Sequence, residues 1–307
     1  MLKRILDRSG KQPTDKLQLQ NQKLIAEICA TKILIGKLYA HEIKKSGILE
    51  NLHDAEFKIF SQWGDDGIIQ YLVNQLDIPV KRFIEFGVSD YTEANTRFLL
   101  LNDNWSGLVM DCSAENITYI KSDAIYWKHD LTATCAFVTT ENINEMLLEA
   151  GYAGEIGLLH IDVDGNDYWI WKAIDVVTPV IAIIEYNSLF GPDRAITIPY
   201  EPKFNRFVAH HSGIYAGASL SALCDLAEGK GYVFIGSNSA GNNAYFIRKD
   251  RLGGISALTA SHGYVESKFR EQRDEKGQLT FLPGHEAIER IRGMKVFNTR
   301  TSEIEEL

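Results

Sequence analysis

Acidic residues end the four clearest strands that the sequence predicts. They are Glu85, Asp111, Asp162 and Glu185, and each follows a short, nearly continuous apolar run. Such runs are typical of parallel strands that are buried on both faces. A carboxylate is costly to bury unless something pairs with it. Four carboxylates at equivalent strand ends therefore predict one shared site at the carboxyl edge of a sheet, where α/β proteins bind ligands.

A single glycine follows the first of these strands. The segment 81–92 reads KRFIEFGVSDYT, which predicts a buried strand, a tight turn at Gly87 and the start of a helix. A turn in this place commonly holds a nucleotide-like ligand, but the G-x-G-x-x-G pattern that cradles a pyrophosphate is missing. An adenosine without phosphates fits such a turn better, so we predict S-adenosylmethionine as the cofactor.

Two aspartates could hold the adenosine. Asp111 follows Glu85 at close to the roughly 20-residue offset at which an acid binds the ribose of a dinucleotide, and its carboxylate could accept both ribose hydroxyls. Capping a helix is the alternative role for Asp111. Asp130 follows a third predicted strand at 124–128. It could accept the adenine amino group, or it could be an ordinary loop aspartate.

A further acidic segment, HIDVDGND at 160–167, includes the end of the fourth strand. Strand alternation would place His160, Asp162 and Asp164 on one side, and EYN at 185–187 repeats that spacing after the fifth strand. Carboxylate and amide oxygens suit Mg²⁺ or Mn²⁺. The predicted metal ligands are Asp162, Asp164, Glu185 and Asn187. The alternative is that an aspartate of this segment caps the following helix while a glycine supplies the turn.

Removal of a proton from an acceptor hydroxyl would need a base. His210 and His211 lie in a predicted loop before a helix, and a histidine with a near-neutral pKa is the usual base for a hydroxyl. Ordinary surface histidines are the alternative. Asp162, beside the predicted metal, is the third candidate for a catalytic residue.

The composition is that of an ordinary globular protein of 307 residues. The 32 Lys and Arg against 41 Asp and Glu give a net charge of −9, which makes the chain a poor candidate for binding nucleic acid or anionic membranes. None of the four cysteines has C-x-x-C spacing, and we expect small buried hydrophobes in a reducing compartment. No segment approaches the roughly 18 apolar residues of a transmembrane helix. We expect a cytoplasmic protein.

Strands and helices alternate five times and end in a hairpin-like pair within 232–248. The sequence therefore predicts an α/β fold with a mostly parallel sheet and an antiparallel edge. We expect three parts: an N-terminal helical segment at 1–54, the main domain at 55–252 and a C-terminal extension at 253–307. The extension could be a lid, a partner arm or a loosely packed appendage.

An amphipathic helix is predicted within the N-terminal segment. Leucines and isoleucines recur at spacings of three, four and seven residues. They are Leu17, Leu24, Ile28, Ile35 and Leu38. This apolar face could pack on the main domain, our first expectation, or on a second copy of the chain, which would make a homodimer.

Five motifs together resemble the FkbM-like S-adenosylmethionine-dependent methyltransferases, over roughly residues 55 to 250. They are SQWGDDG at 61–67, FIEFGVSD at 83–90, Asn95-Thr96, WSGLVMD at 105–111 and IDVDGND at 161–167. The resemblance implies a Rossmann-like class I methyltransferase sheet of seven strands whose last two form the hairpin. For the site it implies cofactor binding by Gln62, Glu85, Gly87 and Asn95, a ribose contact by Asp111, and a place beside the transferred methyl group for Asp162.

The resemblance also bears on the metal. Some class I O-methyltransferases bind Mg²⁺ through acids and an amide at the ends of the fourth and fifth strands, and Asp162, Glu185 and Asn187 match those places in kind. The chain departs from the family pattern in two places. The cofactor loop lacks the usual second glycine after Gly87, and Asp164 stands where many such sequences have Glu.

These observations predict an S-adenosylmethionine-dependent O-methyltransferase that acts on a sugar hydroxyl of a surface glycan or a nucleotide-sugar, with help from Mg²⁺ or Mn²⁺. The alternative is a glycosyltransferase in which Asp162 and Asp164 form a D-x-D metal site for a nucleotide sugar. The order of Glu85, Gly87 and Asp111 favours methyl transfer, because an activated-sugar site would not need the cofactor loop. A non-catalytic binding protein of the same fold is the third reading.

Overall fold

The computed structural model describes residues 13–307, in which ten strands and eleven α-helices follow one another. The strands are β1 (Arg82–Phe86), β2 (Ser106–Asp111), β3 (Leu131–Cys135), β4 (Gly154–Ile161), β5 (Val177–Glu185), β6 (Ile196–Thr197), β7 (Tyr232–Ser237), β8 (Asn243–Arg248), β9 (Lys295–Asn298) and β10 (Glu303–Glu306). The helices are α1 (Pro13–Lys45), α2 (Asp65–Gln75), α3 (Arg97–Asp103), α4 (Ala114–Ser122), α5 (Ala124–Lys128), α6 (Ile143–Glu149), α7 (Asp167–Ala173), α8 (Arg206–Ala209), α9 (Leu220–Gly229), α10 (Ala260–Gly263) and α11 (Gly284–Glu289).

A seven-stranded sheet forms the centre of the fold, in the order β3-β2-β1-β4-β5-β8-β7. Strands β1 to β5 are parallel, and β8 runs antiparallel to both β5 and β7. This is the Rossmann-like sheet of class I methyltransferases with its edge hairpin, so the predicted fold class is confirmed. The strand order reverses between β1 and β4, which is where such sheets bind ligands.

Strand β5 shows why the apolar runs are continuous. Its side chains alternate between two cores, with Ile181 and Ile183 on one face of the sheet and Ala182 and Ile184 on the other. All four are fully buried. Both faces of the strand therefore need apolar residues, and after the exposed Thr178 near its start the next polar position is Glu185, at its carboxyl end.

The third strand lies seven residues later than predicted. The segment 124–128 is the helix α5 because the Asp123 carboxylate caps it, Oδ1 accepting a hydrogen bond from the Ile125 N–H at 3.0 Å. The strand that pairs with β2 is β3, which begins at Leu131. The prediction of a strand at 124–128 is therefore wrong, and Asp130 lies before its strand and not after it.

The C-terminal residues build a second, smaller sheet. Strands β9 and β10 join β6 in the order β10-β9-β6, and Val296 and Ile291 share a buried core with Ile196 and Ile198. The segment from 253 onward is thus packed on the main domain and not a loose appendage. The division of the chain into three parts stays a prediction.

The predicted N-terminal helix is present as α1, but its apolar face is not the one that packs. Gly36, Ala40 and Ile43 are buried against the main domain, and a Cβ on Gly36 would lie 2.7 Å from the Phe98 ring. The predicted residues are 45–68% exposed. They are Leu17, Leu24, Ile28, Ile35 and Leu38. The helix therefore does pack on its own domain, as we first expected, but through Gly36, Ala40 and Ile43 and not through the predicted apolar face.

Two smaller expectations concern cysteines and membranes. Cys112 and Cys135 are exposed at the carboxyl edge of the sheet, while Cys29 and Cys224 are partly buried, so the expectation of buried cysteines fails for the first pair. Across residues 13–307, no helix is both long and apolar enough to cross a membrane.

Candidate active site

A cavity of about 500 Å³ opens at the carboxyl ends of β1, β2, β4 and β5. Gly87, Asp111, Asp162 and Glu185, which follow or end these strands, all line it. The four strand-end acids of the sequence do share one region. Gln62, Glu85, Asn95 and Asp164 also line this cavity.

Gly87 lets two strand ends approach each other. Its φ is +71°, and a Cβ at this position would lie 1.7 Å from the main-chain oxygen of Asp162. Its N–H donates a hydrogen bond to the Met110 oxygen at 2.9 Å. A side chain here would meet both a left-handed backbone and a rigid main-chain neighbour. The loop after β1 can therefore rest directly on the end of β4 only because residue 87 is glycine.

We expect Gly87→Ala to destabilise the fold more than Gly151→Ala does. Gly151 has a similar φ of +75° but open space around it, so that variant measures only the left-handed conformation, about 1–2 kcal/mol. Gly87→Ala adds the main-chain clash. Denaturant unfolding of both variants gives the comparison, and equal losses in the free energy of unfolding would contradict the close contact at Asp162.

Asp111 is held between the first loop and the start of α4. Its Oδ2 accepts from the Ser89 N–H at 2.9 Å, and its Oδ1 accepts from the Ser113 N–H at 2.8 Å and the Asn116 Nδ2 at 3.0 Å. The carboxylate therefore supports the start of helix α4, which is close to the helix-capping role named above as its alternative. It also lines the cavity. Oδ2 keeps capacity for one ligand hydroxyl.

Glu85 is buried and saturated by protein donors. It accepts hydrogen bonds from the main-chain N–H groups of Asn95 and Thr96, from the Thr96 hydroxyl and from His160 Nδ1, over 2.5–3.0 Å. Burial would raise the pKa of Glu85, but these donors, His160 first, bring it below its ordinary value. This geometry makes Glu85 the support of the 95–96 turn and of His160.

Three carboxylates converge where β4 and β5 end. One oxygen from each of Asp162, Asp167 and Glu185 lies within 4.8 Å of the others. Asp167 is fixed at the start of α7, since its Oδ1 accepts from the Val163 N–H at 2.8 Å and its Oδ2 from the Gly165 N–H at 3.0 Å. We call Asp162, Asp167 and Glu185 the carboxylate cluster.

The cluster is short of positive charge. Burial, then Asp164, raises the pKa of Asp162 to about 6, and burial, then Asp162, raises that of Asp167 to about 7. Burial and the charges of Asp162 and Asp167 hold the pKa of Glu185 well above its usual value. Like charges this close cannot all ionise without compensation. The cluster therefore needs either protons or a cation.

Two predicted metal ligands lie elsewhere. Asp164 adopts a left-handed φ of 56°, and its largely exposed side chain pairs with Arg206 Nε at 3.3 Å. The Asn187 amide donates to the main-chain oxygens of Ile214 and Ala216, and its Oδ1 accepts from the Leu189 N–H. Both side chains are thus committed to protein partners. Asp167, which was not among the predicted ligands, completes the cluster.

Three other predicted site residues are also remote from the cluster. The centroids of the His210 and His211 rings are 4.2 Å apart, and the rings are tilted by 35° to each other. His210 Nδ1 is 2.7 Å from Ser212 Oγ, and neither ring lines the first cavity. Asp130 lies at the amino end of β3, where its main-chain oxygen accepts a hydrogen bond from the Gly107 N–H. An amino end faces away from the ligand edge, so Asp130 cannot reach an adenine bound there.

A second cavity of about 390 Å³ adjoins the first. The C-terminal segment 266–272 forms much of its wall. Four residues line both cavities, namely Glu185, Arg206, Phe269 and Glu271. Phe269 stacks on Trp63 with ring centroids 5.9 Å apart, and Arg206 Nη1 pairs with the Glu271 carboxylate at 2.7 Å. The extension thus covers the carboxyl edge of the sheet, and Glu185 stands where the two cavities meet.

Several polar atoms at the first cavity have no hydrogen-bond partner among the described residues. They are Trp63 Nε1, Asn166 Oδ1 and Asn243 Oδ1. Asn243 pairs with Glu185 in the sheet register, and its Nδ2 donates to Asp65 Oδ1 at 2.9 Å. Buried polar groups are costly to leave unpaired, but each of these atoms is covered by protein and does not face the open cavity. From the sequence, Asn166 is a possible oxygen ligand, while Trp63 and Asn243 are not singled out, since nothing local distinguishes them from other polar residues.

Comparison with solved structures finds distant likenesses. The N-terminal domain of EvdMO1 with SAH bound is 11% identical, with a TM-score of 0.38, and the match covers 69% of this chain and 93% of that domain. An O-methyltransferase from Bacillus cereus in complex with SAH is 9% identical, with a TM-score of 0.38, over 71% of this chain and 89% of that one. At such values neither structure transfers an activity to this chain.

No protein-family model matches the chain, and no curated protein matches it either. Membership of the FkbM-like group therefore stays a prediction. What the fold and the site establish together is a sheet of class I methyltransferase topology that carries two adjoining cavities and a partly buried carboxylate cluster where they meet.

Proposed function

We propose that the protein is an S-adenosylmethionine-dependent O-methyltransferase. The observation that carries the proposal is the meeting of two cavities at Glu185, beside Asp162 and at the carboxyl edge of a class I methyltransferase sheet. A methyl transfer needs this arrangement, since donor and acceptor must lie in line within near-attack distance. The cofactor would occupy the first cavity and the acceptor the second.

The first cavity fits the cofactor. Gly87 leaves the loop after β1 close to the sheet, and Asp111 Oδ2 retains room for a ribose hydroxyl. When bound, S-adenosylmethionine supplies an electrophilic methyl group on a sulfonium. The acidic surroundings of the cavity would favour that positive charge.

The carboxylate cluster fits Mg²⁺ or Mn²⁺. Its donors are all carboxylate oxygens, which hard divalent cations prefer, and Arg206 alone cannot neutralise the nearby acids. We propose Asp162, Asp167 and Glu185 as the ligands, in place of the set predicted from sequence. When bound, such a cation would lower the pKa of an acceptor hydroxyl.

We expect the cation-free protein to lose stability as pH rises from 5 to 8. Because the folded-state pKa values of Asp162 and Asp167 are raised, to about 6 and 7, the cluster stabilises the fold when protonated, and this contribution is lost as pH rises through those values. Asp66, with a pKa raised by burial to about 6, adds to the fall. Thermal unfolding in EDTA and in Mg²⁺ isolates the cluster, since Mg²⁺ should restore stability at pH 8 and have little effect at pH 5. Equal Mg²⁺ effects at both pH values would contradict cation binding here.

The residues of the chain would position the acceptor and accept its proton. As the acceptor oxygen gains the methyl group and the sulfur–carbon bond breaks, the hydroxyl proton would pass to Asp162, the predicted catalytic residue that does lie at the cluster. Glu185 faces both cavities and would orient the hydroxyl. Phe269 stacked on Trp63 would limit access of water to the junction.

The second cavity supports a sugar as the acceptor. Its wall combines acidic and basic side chains, among them Glu266 and Lys268, with the ring of Phe269. Charged groups can hydrogen-bond the several hydroxyls of a sugar, and an aromatic face can pack against its ring. A surface glycan or nucleotide-sugar acceptor remains our proposal, and a cytoplasmic location stays a prediction.

The rival reading, a glycosyltransferase with a D-x-D site, has less support in this geometry. The two aspartates of that motif do not converge, since Asp162 joins the cluster while Asp164 turns out to Arg206. A D-x-D site needs both carboxylates near one metal–diphosphate complex.

Calorimetric titration of the purified protein tests the choice. The ligands are S-adenosylmethionine, S-adenosylhomocysteine and a uridine diphosphate sugar, each with Mg²⁺ and with EDTA. Our proposal expects micromolar binding of both adenosyl ligands, in EDTA as well. Metal-dependent binding of the sugar nucleotide alone would overturn it in favour of glycosyl transfer, and binding of none would favour a non-catalytic protein.

A further inference from the structure

Helix α1 presents a regular apolar stripe to solvent. Leu17, Leu24 and Leu38 fall at intervals of whole heptads, with Thr31 at the position between the last two. Ile28 and Ile35 fall four residues after Leu24 and Thr31. The five leucines and isoleucines are 45–68% exposed. In heptad terms the leucines occupy d positions and the isoleucines a positions. We call these five residues, with the exposed Asn21 and Thr31 that complete the pattern, the α1 seam.

The protein's own domain takes the opposite side of the helix. Gly36, Ala40 and Ile43 are buried, and Ile33 packs on the same cluster as Ala40. These residues occupy only b and f positions, which point away from the axis of a two-stranded coiled coil. A partner helix could therefore lie along the seam while both domains stay on the outside.

We propose that the α1 seam binds the same seam of a second copy of this chain, as a parallel two-stranded coiled coil. Isoleucine at a with leucine at d is the pattern that favours two parallel strands. Asn21 stands at an a position, where in a parallel pair it would meet its own counterpart and fix the register. The seam runs through three heptads, roughly 30 Å of helix at 1.5 Å per residue.

Charges beside the seam match a parallel pair. Glu27 is at a g position and Lys32 is at the following e position, and in a parallel coiled coil these face each other across the two chains. Within its own chain Lys32 Nζ lies only over the Phe60 ring, at 5.3 Å. The pair is at the edge of the contact, so it contributes to orientation and register more than to stability.

Other apolar residues widen the contact. Leu34 at g is exposed, and Tyr39 at e is 55% exposed although one side of its ring packs on Phe57 of its own chain. The two face each other across a parallel pair as Glu27 and Lys32 do one heptad earlier. An exposed apolar strip of this length needs a partner to be shielded from water. A second copy supplies one that is complementary at every position.

Light scattering after size exclusion at micromolar concentration tests the proposal. The full chain of 34.6 kDa is expected at twice that mass, and Ile28→Glu is expected at the monomer mass, because a charge at a cannot be buried in the seam. The matched control is Ala30→Glu, an exposed c position of the same helix, which should remain a dimer. Circular dichroism and thermal unfolding check that the main domain is intact in both. A monomeric wild type, or equal masses for the two variants, would overturn the proposal, and a trimer or larger assembly would overturn the two-stranded form.

A charge exchange tests the parallel arrangement. Glu27→Lys and Lys32→Glu should each weaken the homodimer, since each brings like charges together. A mixture of the two variants should restore it, because residues 27 and 32 then carry opposite charges across the two chains. The parallel form is identified by the single variants, because only a parallel pair sets residue 27 of one chain against residue 32 of the other. Unchanged association of both single variants would overturn the parallel register.

Discussion

Glu185→Gln is expected to reduce the rate of methyl transfer by a factor on the order of 100 or more, the size of effect expected for a ligand that both holds a metal and orients the reacting group. Glu185 lines both cavities and belongs to the carboxylate cluster. The exchange keeps the shape of the side chain but removes the charge that a cation and an acceptor hydroxyl would meet. Single-turnover methylation with labelled S-adenosylmethionine, at saturating Mg²⁺, gives the rate.

Stability separates this effect from unfolding. In the absence of cations Glu185 repels Asp162 and Asp167, so Glu185→Gln should leave the cation-free protein at least as stable as wild type at pH 8. Mg²⁺ should then raise its melting temperature less than that of wild type. The control is Asp164→Asn, since Asp164 is turned toward Arg206 and outside the cluster. If Asp164→Asn lost as much activity as Glu185→Gln, the assignment of the cluster would be refuted.

The sheet could be predicted because its strands are buried on both faces. In β5, alternate residues enter two different cores, so the apolar run has no gaps and ends abruptly at an acid. The segment 124–128 shows where this reasoning fails. AIYWK is too short for its periodicity to distinguish a strand from a helix, and the deciding contact is the cap from Asp123.

The location of the site could be predicted, but not its ligand set. Alternation applies only while the chain is extended, and β4 ends at Ile161. The left-handed Asp164 and the turn at Gly165 then reverse the chain, which sends the Asp164 side chain outward and returns that of Asp167 to the cluster. The φ angle of an aspartate cannot be read from the sequence, so alternation pointed to Asp164 where the structure brings Asp167 to the cluster.

Helix α1 and the C-terminal extension show the limit set by long-range packing. Hydrophobicity identified a face of α1, yet the main domain binds the face with small residues, because Gly36 allows Phe98 to approach closely. Likewise the extension reads as polar, and only its contacts, such as Phe269 on Trp63, show that it covers the cavities. A local sequence pattern predicts that a helix or segment forms. Which of its faces packs depends on the neighbouring elements, which the pattern does not describe.

Asp111→Asn is expected to weaken the binding of S-adenosylhomocysteine by about 10-fold or more, while Asp130→Asn leaves it unchanged. From the sequence, both aspartates were assigned to the adenosine. In the structure Asp111 lies at the carboxyl end of β2 and Asp130 at the amino end of β3, so the same exchange at the two positions compares the two edges of the sheet.

The loss at Asp111 follows because a hydrogen bond from a ligand hydroxyl to a charged acceptor contributes roughly 1.5–3 kcal/mol, and a tenfold change in affinity corresponds to about 1.4 kcal/mol. Asparagine can still accept on one oxygen from Ser113 or Ser89, so the loop should hold and the melting temperature should change little. Calorimetry with S-adenosylhomocysteine in EDTA measures the affinity without any contribution from a cation. Equal losses at both positions, or none at Asp111, would mean that an adenosine does not bind where β1 and β2 end.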